Sequence, residues 1–302
     1  MMSPSERVDY SPIIDRPRIT WPGGARVAFW VSPNVEHYEY APVFDGKRDP
    51  YPRSPYPDVQ QYSYCDYGNR VGFWRMLEVL DRHAVRCTVS LNLAVLDHFP
   101  EVRDAMVARG WAFMSHGLNN TRYITTCSEE EERAFIRDNV ERLKRHTGDR
   151  LKGFFGPSFT GTERTPDLLA EAGILYHCDW VHDDQPVPIK VRSGRLVSVP
   201  YSVEINDGIV LRTWCDGEYF ARICKAQFDQ LYEEGAEGGR VMCIALHPFL
   251  VGQPHRVDHL DDVLGHILSH DGVWQTTADE IAEHYLEHHY DAAVAHAARL
   301  NE

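Results

Sequence analysis

Strand and helix patterns alternate from about residue 68 to residue 290, and this alternation limits the possible folds more than any other feature of the chain. Gly68 to His83 places apolar residues at Val71, Trp74, Leu77, Val79 and Leu80, the spacing of an amphipathic helix, and Val85 to Leu91 reads as the strand that follows. Pro100 to Arg109 is a helix stopped by Gly110, ahead of the strand Trp111 to Ser115. Ser128 followed by four glutamates is an N-cap with acidic residues in the first turn, and that helix should run to about His146. The alternation continues with strand 151–155, helix 165–172, strand 174–178, helix 217–234, strand 240–247, helix 257–270, strand 273–275 and helix 278–289. About seven such units without a flexible linker point to one parallel, barrel-like α/β domain over 26–290, although the length of 302 residues would also allow two domains.

The flanks read differently. Residues 1–25 are polar and broken by Pro4, Pro12, Pro17 and Pro22, as in an extended arm, and 291–302 reads as a tail. Between Tyr38 and Tyr67 lie seven tyrosines and five prolines, too aromatic for a linker and too rich in proline for regular structure. A long loop of this kind serves as a lid over a small planar ligand or as a subunit contact, so the reading expects a homo-oligomer, a dimer or tetramer.

Lys and Arg number 31 against 45 Asp and Glu, a net charge of −14, which disfavours nucleic acid as a partner. Apolar runs such as Val27–Val31 and Val241–Leu246 are far short of the roughly 20 residues that cross a bilayer, so no membrane association is expected. The N-terminal residues lack a secretory h-region, and a cytoplasmic location is the expectation. Seven scattered cysteines without a C-x-x-C pair argue against a disulfide framework. Phosphate-loop, dinucleotide and G-x-S-x-G motifs are missing from the sequence.

In a barrel of parallel strands the chemistry sits at the C-terminal strand ends. Collecting the polar residues there gives Asn34 and Glu36, then His116 with Asn120, then Gly156-Pro157-Ser158, then Asp179-Trp180 with Asp183-Asp184, and finally His247. His37, His83, His146, His270, His284, His288 and His289 are left as solvated or hydrogen-bonded histidines. It is the joint placement of the first set that points to a site.

The order of these elements resembles the polysaccharide deacetylase (NodB-homology) superfamily over about residues 25 to 285. The stretches that carry the likeness are Tyr67 to Arg75, Ser115-His116-Gly117, Cys178-Asp179 with Asp183-Asp184 and Pro186, Asn206-Asp207, and Leu246-His247 with Leu250-Val251-Gly252, Pro254 and Arg256. The resemblance implies a distorted (β/α)7 barrel. It also implies a base and a metal ligand, both Asp, after the first strand, further metal ligands from His-x-x-x-His, and an acid from a late Leu-His element. Here those positions hold Asn34 and Glu36, His116 and Asn120, and Leu246-His247. These departures are similar to the metal-independent allantoinase branch, which opens a cyclic amide.

Glu36 and His116 supply two zinc ligands where three are usual, and the amide of Asn120 is a poor third. Without a metal, Glu36 becomes the base that activates water, and His247, or failing it His116, protonates the departing nitrogen. Asp179 is expected to orient one of the two histidines. Asn34, Asn120 or a backbone N–H near Pro157 and Ser158 would hold the oxyanion, with Trp180 and Asp184 on the substrate. The expected function is hydrolysis of a carbon–nitrogen bond in a small cyclic amide, ureide or imide, with no cofactor. The alternatives are a metal-dependent de-N-acetylase of a small amino sugar or acylated amine, with zinc held weakly by Glu36 and His116, and a degenerate binding protein.

Overall fold

The computed structural model describes residues 4–43, 57–213 and 216–300. Strand β1 (Val27–Val35) is buried along all nine residues and acts as the hub of the sheet. It runs on through Pro33 because Asn34 and Val35 pair with Ser90 and Leu91 of β2 (Thr88–Leu91). From β2 the sheet passes in parallel through β3 (Ala112–Ser115), β4 (Gly153–Phe154) and β5 (Tyr176–His177). Beyond these lie two three-residue strands absent from the sequence reading, β6 (Val187–Ile189) and β7 (Leu196–Ser198), an antiparallel pair joined to β5 through β7. Their brevity and Pro188 conceal them from a periodicity search. On the other side of β1 stands β8 (Arg240–Leu246), and β9 (Val273–Gln275) pairs with the start of β1.

The sheet curls toward closure. Val241 donates its N–H to the Asp184 carbonyl at 2.9 Å, Gln185 reaches the Gly239 carbonyl at 2.9 Å, and Asn206 bridges to Ala245. These links bring the β8 edge against the segments that flank β6 and β7. The result is a distorted (β/α) barrel, as the alternation implied.

The helices form where their caps and apolar faces allow. The expected loop 38–67 is partly helical, since α1 spans Val59–Tyr67. Pro57 lies outside it and Asp58 caps it, accepting from the Gln61 N–H at 3.0 Å, so the prolines do not interrupt the helix. The remainder of that loop from 44 to 56 lies outside the described residues. A π turn, Gly68–Gly72, joins α1 to α2 (Phe73–Arg82). The turn shifts the buried face to Phe73, Met76, Leu77, Val79 and Leu80 and leaves Val71 and Trp74 exposed, unlike the expected face. The π turn packs against the segment after β8. A Cβ on Gly72 would lie 2.0 Å from the Pro248 carbonyl oxygen, so only glycine lets the two backbones meet.

Helices α3 (Pro100–Ala108), α4 (Glu129–Thr147), α5 (Thr165–Glu171), α6 (Gly217–Glu234), α7 (Val257–Leu268) and α8 (Ala278–His288) follow the expected order. Ser128 and Glu131 form a capping box at α4, and Gly148 ends that helix at φ 83°. Tyr290–Leu300, expected as a tail, is helix α9 and packs on β6. In the N-terminal segment, Arg7 forms a buried bidentate pair with Asp167 at 2.8 and 2.7 Å.

Replacing Gly72 with Ala should force the π turn off Pro248 and cost about 1–3 kcal/mol, the usual range for overpacking. A urea midpoint equal to that of the parent chain would contradict the close approach.

Candidate active site

Parallel pairing sets the site. Pro33 lies opposite Leu246, so the residues that follow each, Asn34 to Glu36 and His247, emerge side by side at the same end of the sheet. His116 follows β3 at that end as well. Side chains of Asn92 and Asn69 fix the two loops. Asn92 accepts from the His37 N–H at 2.9 Å and donates to the His116 carbonyl, while Asn69 donates to the Glu36 carbonyl at 2.8 Å.

The three groups singled out in the sequence converge. Glu36 Oε1 lies 3.5 Å from His116 Nε2 and 3.6 Å from His247 Nε2, and all three side chains are largely withdrawn from solvent. Its other oxygen accepts from the Tyr38 hydroxyl at 3.1 Å, which in turn accepts from the Asn120 amide at 2.5 Å. His116 stacks on Phe155 with ring centroids 4.7 Å apart. Its Nδ1 donates to the Phe155 carbonyl at 2.9 Å, so in the neutral ring Nε2 carries the lone pair.

His247 is anchored by a residue to which the sequence reading gave no role. The carboxylate of Asp207, fully buried, takes Nδ1–H of His247 at 2.7 Å and the His247 backbone N–H at 2.9 and 2.8 Å. The Asn206 side chain caps the Gly208 N–H at 2.8 Å and so shapes the turn that carries Asp207. Gly208 itself packs on the imidazole, where a Cβ would sit 2.6 Å from Cε1. Burial alone would discharge His247, but the charges of Glu36 and Asp207 and their hydrogen bonds hold its pKa up at about 9. Burial likewise opposes the charge on Glu36, yet cationic His247 and its hydrogen bond keep this carboxyl well below the usual carboxylate range. The pair is therefore zwitterionic at neutral pH.

The cavity at this mouth measures about 120 Å3 and is lined by Asn34, Glu36, Tyr38, His116, Asn120, Ser158 and His247 together with Phe155, Phe159, Tyr201 and Arg212. The Arg212 guanidinium sits 5.4 Å above the Phe249 ring. Ser158 and Phe159 both have positive φ, 55° and 58°, a conformation non-glycine residues adopt at a cost.

Several expected members are elsewhere. Asp179 orients neither His116 nor His247. It accepts from His177 Nε2 at 2.8 Å and from the Gly156 N–H at 2.8 Å, because it leaves its strand beside β4. With Trp180 it lines a neighbouring cavity of about 330 Å3 that shares only the Phe159 wall with the first among the lining residues described. Asp184 is exposed and faces a third cavity with Arg16 and Asp183. Pro157 is buried against Gly117 and does not line the mouth. The amide of Asn34 gives no free oxyanion donor, being spent on the Tyr201 hydroxyl at 2.9 Å and the Ser32 and Leu246 carbonyls. The Asn120 amide is likewise committed to Tyr38, although its Oδ1 is buried without a partner.

This donor set does not fit a three-ligand zinc centre. Glu36 and His116 offer two donors and Asn120 only an amide oxygen, and adding His247 does not bring three ligand atoms within 4.8 Å of one another. The barrel-mouth residues are not among the described groups of three His, Cys, Asp or Glu with ligand atoms within 4.8 Å of one another.

A carboxylate and two imidazoles gathered at the C-terminal mouth of a (β/α) barrel form a site suited to proton transfer. The chain matches the Polysaccharide deacetylase family profile over residues 60–177. It is 30% identical to a solved probable polysaccharide deacetylase of Pseudomonas aeruginosa, covering 91% of this chain and 96% of that one at a TM-score of 0.82. To the solved PuuE allantoinase it is 28% identical, covering 93% and 99% at a TM-score of 0.80. A curated Schizosaccharomyces pombe protein, provisionally named a polysaccharide deacetylase, is 29% identical over 258 residues, or 80% of each chain. The protein belongs to the polysaccharide deacetylase family.

Because the His247 pKa is raised in the fold, its contribution to stability is complete below about pH 6.5 and is lost as pH rises through about 9. NMR titration of the ring should give a midpoint near 9, and Asp207→Asn should move it toward 6.5. A midpoint unaffected by that substitution would remove Asp207 from its positioning role.

Proposed function

We propose that the protein hydrolyses a carbon–nitrogen amide bond in a small cyclic amide, ureide or imide, with Glu36 as general base and His247 as general acid. The observation that carries this reading is the bracketing of Glu36 Oε1 by two imidazole Nε2 atoms. His247 turns a proton toward Glu36, while His116, its Nδ1–H bound to the Phe155 carbonyl, can accept through Nε2 in the neutral form of the ring.

A water seated between Glu36 Oε1 and His116 Nε2 would donate both its protons to them and aim an oxygen lone pair at the substrate carbonyl. As its oxygen bonds to the carbonyl carbon, one proton passes to Glu36. The C–N bond then breaks, and the leaving nitrogen takes the proton from His247 Nε2. At that moment the cation that suppressed the basicity of Glu36 is gone, so the two transfers reinforce each other. Return of the proton from Glu36 to His247 resets the site. The Tyr38 hydroxyl holds the second oxygen of Glu36 throughout, and Asp207 keeps the imidazole of His247 facing inward. Arg212 adds positive charge at the cavity wall, where the carbonyl oxygen gathers charge.

Three observations support a small cyclic substrate. The mouth is compact and walled by Phe155, Phe159 and Tyr201, which suit a planar ring. Its donor set lacks a third strong zinc ligand. The likeness to PuuE allantoinase extends over nearly the whole of both chains. The family match and the relatives named as deacetylases support the second reading, removal of an N-acetyl group from a small amine.

Hydantoins, ureides, cyclic imides and N-acetyl amines should be assayed side by side for ring opening or acetate release. Ring opening without acetate release is expected, unchanged after dialysis against a chelator. Acetate release that depends on added zinc would replace the first reading with the second. Glu36→Gln and His247→Ala should each lower kcat by about 100-fold or more with the circular dichroism spectrum retained, and an active folded variant of either would end the assignment.

A further inference from the structure

We infer that Asp229, His266 and His270 form a binding site for a divalent transition-metal ion of the zinc type on the outer layer of the barrel. Their ligand atoms all lie within 4.8 Å of one another. Asp229 stands on α6, His266 in the last turn of α7 and His270 just beyond it, so one ion would tie together two helices that already pack side by side. The four-residue step from His266 to His270 keeps both imidazoles on one face of the helix end.

The rings are held for this task. His270 donates Nδ1–H to the His266 carbonyl at 2.8 Å, which leaves its Nε2 lone pair available, the arrangement that orients metal-binding histidines in general. His266 Nε2 meets Asp229 Oδ1 at 2.7 Å, so an ion would take the place of the proton they share. Phe228 packs edge-on to both imidazoles, with centroids 5.8 and 5.0 Å away, and limits their rotation. Two imidazoles and a carboxylate, with open positions left for water, match the ligand preferences of zinc. The place is remote from the mouth. Helices α6 and α7 run back along the barrel against the strands, and the three residues sit at the ends of these helices near the start of β8 and β9. They share no lining residue with the mouth. An ion here would act as a clamp on the α6–α7 pair and would take no part in hydrolysis.

The test is zinc titration of the untagged full chain by competition with a chromogenic chelator, read together with the thermal midpoint. One saturable zinc ion and a rise in midpoint are expected, because a ligand bound only by the folded state stabilises it. His270→Ala, and separately Asp229→Asn, should weaken zinc binding about tenfold or more and abolish the rise, with hydrolysis unchanged. His270→Gln serves where His270→Ala unfolds. His116→Ala should leave the zinc affinity as it was. The proposal is overturned if the parent chain shows no saturable zinc binding, if the α6–α7 variants bind as it does, or if affinity falls in His116→Ala instead.

Discussion

The parallel register between the first long strand and the late one is the constraint on which everything else rests. Seven consecutive residues of β1, Val27 to Pro33, pair with Arg240 to Leu246 of β8, although more than 200 residues of chain separate them. A shift of one residue would invert which side chains of β8 face the interior and would carry His247 away from Glu36. Alternate residues of β1 pack into two different apolar clusters, Val27, Phe29 and Val31 in one and Ala28 and Trp30 in the other, so such a shift would exchange the two sets and break the packing of both.

On that frame, polar side chains locate the chemistry more than helices do. Asn92 and Asn69 bind the backbone on either side of Glu36 and His116, and Asp207 binds both the backbone and the ring of His247. Each is buried and each satisfies groups that would otherwise be stranded away from water. The catalytic candidates are thus held by hydrogen bonds fixed before any ligand arrives, which lowers the ordering cost of binding.

Much of this was legible in the sequence, and what was not has physical reasons. The alternation of patterns gave the barrel, and strand ends gave Glu36, His116 and His247, since parallel strands place their C-termini at one mouth. Asp207 carries no expected role because it opens a four-residue helix, Asp207–Val210, too short for periodicity to mark, although the dipeptide Asn206-Asp207 stands out. Asp179 departs from its expected role because a strand-end position fixes height along the barrel but not the direction of the side chain, and its hydrogen bonds turn it toward His177 and the Gly156 N–H. The helix Val59–Tyr67 was hidden by the prolines around it, which lie before its cap and not within it. The exposure of Trp74 follows from the π turn, whose extra residue per turn displaces any face counted at 3.6 residues.

The charges placed at the mouth have a consequence for encounter with solutes. The carboxylates of Glu36 and Asp207 both meet His247, and Arg212 adds a cation to the cavity wall, so the mouth differs from a surface that carries −14 overall. A solute without net charge is not steered by the long-range field of the molecule, so its capture should vary little between dilute and concentrated salt.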